Sequence, residues 1–256
     1  MTLRSVPLST RFVVRGDAGR PARRVRLLAG TSDWRRNTLD VIGATAVLIA
    51  GTRPWPTATG WRWPDLDPTE IEHLLQAPLP GVRVDAAVMP RQIDRAHLSL
   101  LCSQPRRERA IVVKLATVDD GLEREAMALS LLTARPLPAI ATPKLIASGL
   151  LVDGITFLAT DALGLDRQRP ALGEPLHSFE RDLADRLASL PRPADTADDA
   201  IPVHGDLAPW NLRRTSRGLA LFDWEAAGWA APGSDLSYYR RSCAELSRWS
   251  IRARPR

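Results

Sequence analysis

Lysine is almost missing from this chain of 256 residues: Lys114 and Lys144 are the only two, and the remaining basic residues are arginines. Cysteine is equally scarce. Cys102 and Cys243 lie far apart and match no metal-ligand spacing, which excludes a disulfide scaffold and leaves free thiols in a reducing compartment as the expectation. The four histidines (His73, His97, His177, His204) are scattered, so no zinc site is expected. Long hydrophobic runs are also lacking. The longest, "VIGATAVLIAG" at residues 41–51, is about half of the roughly 20 residues that a membrane-spanning helix needs, and reads as a buried strand or short core helix. The opening "MTLRSVPLSTRFVVRGD" has no apolar signal core and no small-residue cleavage site, so the expectation is a cytoplasmic protein with no membrane partner.

The net charge of +6 invites a nucleic-acid partner. The arginines are spread along the chain with no basic stripe interleaved with aromatics, and phosphate contacts need clustered charge. Nucleic acid is therefore not an expected partner. The scarcity of lysine gives Lys114 weight. It stands in the apolar run "AIVVKLA", in a chain that otherwise uses arginine for positive charge.

The length suits one large domain or two lobes. Residues 1–70 read as an N-terminal extension of unclear role: "RFVVRGDAGRPARRVRLLAG" suggests two short strands around a Gly/Pro turn, and "GTRPWPTATGWRWPDLDP" a loop. "DPTEIEHLLQAP" predicts a short helix with Asp67 or Thr69 as N-cap. From Val82, "VRVDAAVMP", "HLSLLCS" and "RAIVVKLAT" predict three strands of a meander. "DDGLEREAMALSLLTA" follows with Leu122, Ala126, Leu129 and Leu132 at helical spacing. "TPKLIASGLLVDGITFLATDAL" predicts a strand pair turning at Asp153-Gly154, and "HSFERDLADRLASL" an amphipathic helix. "GLALFDWEAAGW" reads as a strand running into a loop, and "DLSYYRRSCAELSRWS" as a helix.

The chemistry gathers in "VHGDLAPWNL", residues 203–212, and in "LFDWE" just beyond it. Asp206 and Asn211 share a loop, and the strand "LALF" is expected to pair back beside it and return Asp223 to the same point. Two carboxylates and a carboxamide offer the hard oxygen ligands that suit Mg²⁺. Only one or two need bind a metal, which leaves a carboxylate free to accept a proton from a hydroxyl. Lys114, costly to bury alone, needs an anionic partner. On the following helix Glu125 looks inward better than Glu123, because Leu122, Ala126 and Leu129 mark the buried face.

This set resembles the protein-kinase-like fold, and more closely its aminoglycoside phosphotransferase and choline kinase branch. Members of that branch carry "HGD" where protein kinases carry "HRD", and "DWE" or similar in place of "DFG". The order strand-Lys, helix-Glu, loop Asp…Asn, strand-Asp also agrees, over roughly residues 82–240. The resemblance implies an α+β, bilobal fold: a small antiparallel sheet with one helix over residues 71–161, and a mainly helical, shortened lobe over 162–256. It implies a Mg²⁺- and ATP-dependent transfer of the γ-phosphate to a hydroxyl of a small molecule, a sugar, amino alcohol or aminoglycoside. Lys114 would contact the α/β-phosphates, held by Glu125. Backbone groups of Thr160, Asp161, Ala162 and Leu163, at the joint between lobes, would hold the adenine. Asp206 would be the catalytic base, Asn211 and Asp223 the Mg²⁺ ligands, His204 a support within the loop, and Asp235 a brace for it. Trp210 and Leu212 would anchor the loop in the core.

The chain departs from the family pattern in three ways. The turn "MPRQIDRAHLS" contains no glycine, where backbone amides would approach phosphate; Arg91 or Arg95 would substitute. The segment after "DWE" is short, and residues 1–70 have no counterpart. A nucleotide-binding module without catalysis is the alternative these departures raise. After Glu225 the tail offers only Asp235 and Glu245 as carboxylates, which leans the expected acceptor toward a neutral, sugar-like molecule.

Overall fold

The computed structural model describes residues 3–5, 12–15, 63, 65–88, 97–105, 110–117, 121–163 and 169–252. The run at 41–51, most of the loop read over 51–68, and Arg91 and Arg95 lie outside these residues. In chain order the described elements begin with β1 (Leu3–Ser5), β2 (Phe12–Arg15), α1 (Pro68–Leu75), β3 (Arg83–Val88), β4 (His97–Ser103) and β5 (Ile111–Ala116). Next come α2 (Leu122–Ala134), β6 (Ile140–Ala141), β7 (Leu145–Leu150), β8 (Thr156–Asp161), β9 (Arg169–Pro170) and α3 (Phe179–Leu187). The last are β10 (Ile201–Val203), β11 (Leu212–Thr215), β12 (Gly218–Leu221), β13 (Gly228–Ala230) and α4 (Ser234–Arg252). They form two compact units, Met1–Leu122 with Ile146–Leu165, and Glu123–Leu145 with Asp166–Arg256. The architecture is α+β, as the sequence implies.

The first unit is built on a seven-stranded sheet in the order β1-β2-β3-β4-β5-β8-β7. Its register pairs Lys114 with Ser99 on one side and Leu158 on the other, all antiparallel. Alternation along β5 buries Ile111, Val113 and Leu115. The core adds Val13, Trp63, Ile71 and Leu75, so the segment read as an extension supplies two strands and part of the core of this unit. Its boundary therefore falls outside the expected 71–161. The reason is physical: β2 hydrogen-bonds along β3, and Arg15 pairs with Glu72 of α1 at 2.8 Å while Glu72 also accepts the Val84 N–H at 2.7 Å. Asp67 is the N-cap of α1. It accepts the N–H groups of Thr69 and Glu70, and Glu70 returns a carboxylate to the Asp67 N–H, a reciprocal capping box.

α2 begins at the last residue of the first unit and buries Leu122, Ala126, Leu129 and Leu132, as their spacing predicts. This helix clusters with the second unit from Glu123 onward, whereas the sequence assigns it to the lobe of residues 71–161. α3 turns Phe179, Leu183 and Leu187 inward. Two small sheets complete the unit: β10 with β13, and β6-β12-β11-β9. Their short strands are absent from the sequence reading except β12.

Candidate active site

The loop from His204 to Asn211 is held at both ends by strands. β10 leads into it and pairs with β13 so that Val203 faces Gly228. β11 leads out and forms a hairpin with β12, Leu212 opposite Leu221. The pairing continues one step past the strands, where the Phe222 N–H donates to the Asn211 carbonyl at 3.0 Å. Asn211 and Asp223 are thereby brought together by strand register. Leu207, Ala208 and Leu212 are buried and anchor the loop. Trp210, expected to share that role, is only half-buried; its carbonyl accepts the Arg213 Nε–H at 2.8 Å instead.

Within the loop the hydrogen bonds are dense. The Asn211 side-chain amide donates to the Asp206 carboxylate at 2.8 Å and to the Asp206 carbonyl at 3.0 Å. Both contacts use Nδ2, which leaves the Oδ1 acceptor for another partner. His204 is fully buried. Its Nδ1 accepts the Asp206 N–H at 3.2 Å, so Nε2 carries the proton toward the Phe222 carbonyl at 3.0 Å. The Trp224 ring meets it edge-on at 4.5 Å. Asp235, in the first turn of α4, accepts the N–H groups of His204 at 2.7 Å and Gly205 at 3.0 Å. Burial pushes its carboxyl up to about 6 against the pull of those two N–H groups, and the charges of Glu180 and Asp206 add to the rise. Gly205 has φ of +83°, and a Cβ there would lie 2.1 Å from the Ala226 carbonyl oxygen, so only glycine fits.

Asp223 has φ of 66°, the one positive-φ residue other than glycine among the described residues. An aspartate tolerates that conformation better than most side chains, and strain of this kind gathers at functional sites. Carboxylate oxygens of Asp223, Glu225 and the buried Glu125 lie within 4.8 Å of one another. Like charges at that spacing repel by roughly 3 kcal/mol per pair at an effective dielectric of about 20. Arg213, whose guanidinium is pulled down by burial and raised by Asp223, and which stacks 5.7 Å from the Phe222 ring centroid, supplies a nearby positive charge. The three carboxylates are hard oxygen donors, a set that fits Mg²⁺. Glu225 and Arg213 escaped the sequence reading, although Glu225 stands inside the quoted "DWE".

The other expected site residues lie as follows. Glu125 is buried and Glu123 exposed, as the helical face predicts. Lys114 is half-buried on β5, in the first unit. Thr160 and Asp161 end β8, and the Ala162 N–H donates to the Ala110 carbonyl at 2.9 Å. That removes one donor from the backbone set expected to face the adenine. Burial raises the Tyr238 hydroxyl on α4 above its ordinary value, and the nearby Asp206 charge adds to the rise.

Comparison with known proteins returns three kinds of result. No curated protein matches the chain. Among solved structures, it is similar to the aminoglycoside phosphotransferase APH(4)-Ia, with 13% identity and a TM-score of 0.45 over 73% of this chain and 83% of that one. It is similar also to a GDP complex of wild-type aminoglycoside 2'-phosphotransferase-IIIa (11%, TM-score 0.46, 73% and 82%) and to the Cydia pomonella granulovirus kinase PK-1 (15%, TM-score 0.39, 62% and 57%). A family model described as the phosphotransferase enzyme family matches residues 156–254, the stretch that holds Asp206, Asn211, Asp223 and Asp235. Over those residues the chain is similar to the phosphotransferase enzyme family, the one that its motifs resemble.

Proposed function

We propose that the protein is a small-molecule kinase, which transfers the γ-phosphoryl group of ATP to a hydroxyl acceptor with Mg²⁺ as the metal. The observation that carries this reading is the strand register that brings Asn211 beside Asp223, with the Asn211 amide on the Asp206 carboxylate, in a segment matched by the phosphotransferase family model. Asn211 and Asp223 would hold Mg²⁺, with Glu125 and Glu225 close enough to share it. The metal would neutralise charge on the phosphates. Lys114 would serve the α/β-phosphates, and Thr160, Asp161, Ala162 (through its carbonyl) and Leu163 the adenine.

Asp206 is the base. The Asn211 amide holds its carboxylate, which leaves acceptor capacity for the substrate hydroxyl. As the acceptor oxygen bonds to the γ-phosphorus, the bond from that phosphorus to the β–γ bridging oxygen breaks and ADP leaves. The acceptor proton passes to Asp206. Positioning supplies most of the acceleration, with no covalent intermediate. Both oxygens of Asp235 are occupied by the backbone N–H groups of His204 and Gly205, so this carboxylate serves the loop.

Calorimetric titration with Mg·ATP tests the reading, on the wild type and on Asp223→Asn. Binding should require Mg²⁺ and be lost in the variant; equal binding by both with and without Mg²⁺ would overturn the assignment. Asp206→Ala should lower turnover about 10²–10⁴-fold and leave ATP affinity nearly unchanged. The glycine-free "MPRQIDRAHLS" favours a second reading, a nucleotide-binding module without transfer. Mg²⁺-dependent binding with no ADP formed across an acceptor screen would select it.

A further inference from the structure

The first turn of α4 is not capped by its own side chains. Gly233 is the N-cap, since its carbonyl accepts the Ser237 N–H at 2.9 Å, and it has no side chain to offer. The Ser234 hydroxyl is buried without a hydrogen-bond partner. Asp235 is turned away, to the N–H groups of His204 and Gly205 at 2.7 and 3.0 Å. The cap comes from another helix. Glu180 of α3 accepts the Gly233 N–H on Oε2 at 3.0 Å and the Leu236 N–H on Oε1 at 3.2 Å. A capping box divides those two tasks between the N-cap and N3 side chains; here one carboxylate performs both. Glu180 also lies in the first turn of α3, so its charge sits at the positive ends of two helices.

We infer that Glu180 is a positioning residue for the loop that carries Asp206, acting through the first turn of α4. The inference rests on the proposed role of Asp206 as base. Asp235 stands between Gly233 and Leu236, so the carboxylate that clamps those two also fixes where Asp235 stands. Asp235 in turn holds the backbone of His204 and Gly205, immediately before Asp206. Burial of Phe179, Leu183 and Leu187 seats α3, which gives Glu180 a firm base. A helix end whose N–H groups lack acceptors frays, and Asp235 would move with it. In-line transfer tolerates little such movement, because a misplacement of about 1 Å from a distant change can cost about 100-fold in rate.

Amide hydrogen exchange, followed by NMR on the full chain, reads this coupling without any turnover. Glu180→Ala should speed exchange at Gly233 and Leu236 roughly 10-fold, as loss of a helix cap does. It should speed His204 and Gly205 by a similar factor, although neither touches Glu180. The Phe222 N–H, held by the Asn211 carbonyl at 3.0 Å, is the control and should not change. Faster exchange confined to Gly233 and Leu236 would overturn the inference, and so would an equal rise at Phe222, the mark of general loosening. Glu180→Gln keeps the shape and one acceptor. It should give the same pattern at smaller amplitude, and it stands in if the alanine variant does not fold. In turnover, Glu180→Ala should lower kcat about 10-fold or more with the KM for Mg·ATP near that of the wild type. An unchanged kcat would overturn the positioning role. If the exchange pattern appears and the wild type forms no ADP, Glu180 still positions the loop and it is the phosphotransferase reading that fails.

Discussion

Asp235 is nearly inaccessible to solvent, yet its carboxyl serves two backbone N–H groups, and burial dominates its titration. The free carboxyl ionises near 3.8 and the folded one near 6. Between those values the native state keeps a proton that the unfolded chain has released. The stability tied to this group is therefore full below about 3.8 and declines as the pH rises through 6, by on the order of 3 kcal/mol. Urea unfolding of wild type and Asp235→Asn from about pH 4 to about pH 8 isolates it, because asparagine does not titrate. The wild type should lose ground to the variant across that window; a constant difference would refute the assignment. At this scale the sequence was legible wherever a residue type announces its chemistry. Asp206, Asn211 and Asp223 stand out because polar groups inside apolar text need a reason. Glu225 does not: a glutamate past a strand end reads as solvated until the three carboxylates are seen to converge.

The β11–β12 hairpin is the element that sets the spacing of the candidate ligands. Its turn, Ser216-Arg217, is fastened by Thr215, whose hydroxyl donates to the Gly218 carbonyl at 3.0 Å and accepts the Arg217 N–H at 3.1 Å. Gly218 has φ of +114° with open space around it, so alanine there would cost backbone strain alone, about 1 kcal/mol. Gly218→Ala should lower the urea midpoint accordingly and weaken Mg·ATP binding in calorimetry. Lost stability with intact binding would mean that the hairpin does not set the ligand geometry. The longer elements were legible from periodicity, as in β3, β4, β5, α2 and α3. β6, β9, β10 and β13 are two or three residues long and exist only through their partners, so no local pattern encodes them.

Across the whole molecule the net charge of +6 comes from arginines distributed along the sequence, and several of those among the described residues are committed locally. Arg15 pairs with Glu72, Arg135 with Asp185 and Arg214 with Glu174, while Arg192 covers the Trp229 ring. A labelled DNA duplex should accordingly show no saturable binding in fluorescence anisotropy at physiological salt. A steep loss of affinity with rising salt would instead reveal a phosphate-binding face. Among the described residues no helix is long and apolar enough to cross a membrane.

The first unit takes its last two strands from Ile146–Leu165, after the chain has already entered the second. In the sheet β8 lies directly between β5 and β7, so β5 gains its second neighbour only from residues 156–161. During synthesis on a ribosome, β5 is therefore complete some forty residues before its partner is made. At about 5–20 residues per second that interval lasts a few seconds, with "AIVVKLA" presenting an unpaired, mostly apolar edge. The nascent chain is most exposed to misassociation in this window. A fragment ending at α2 would keep the open edge permanently.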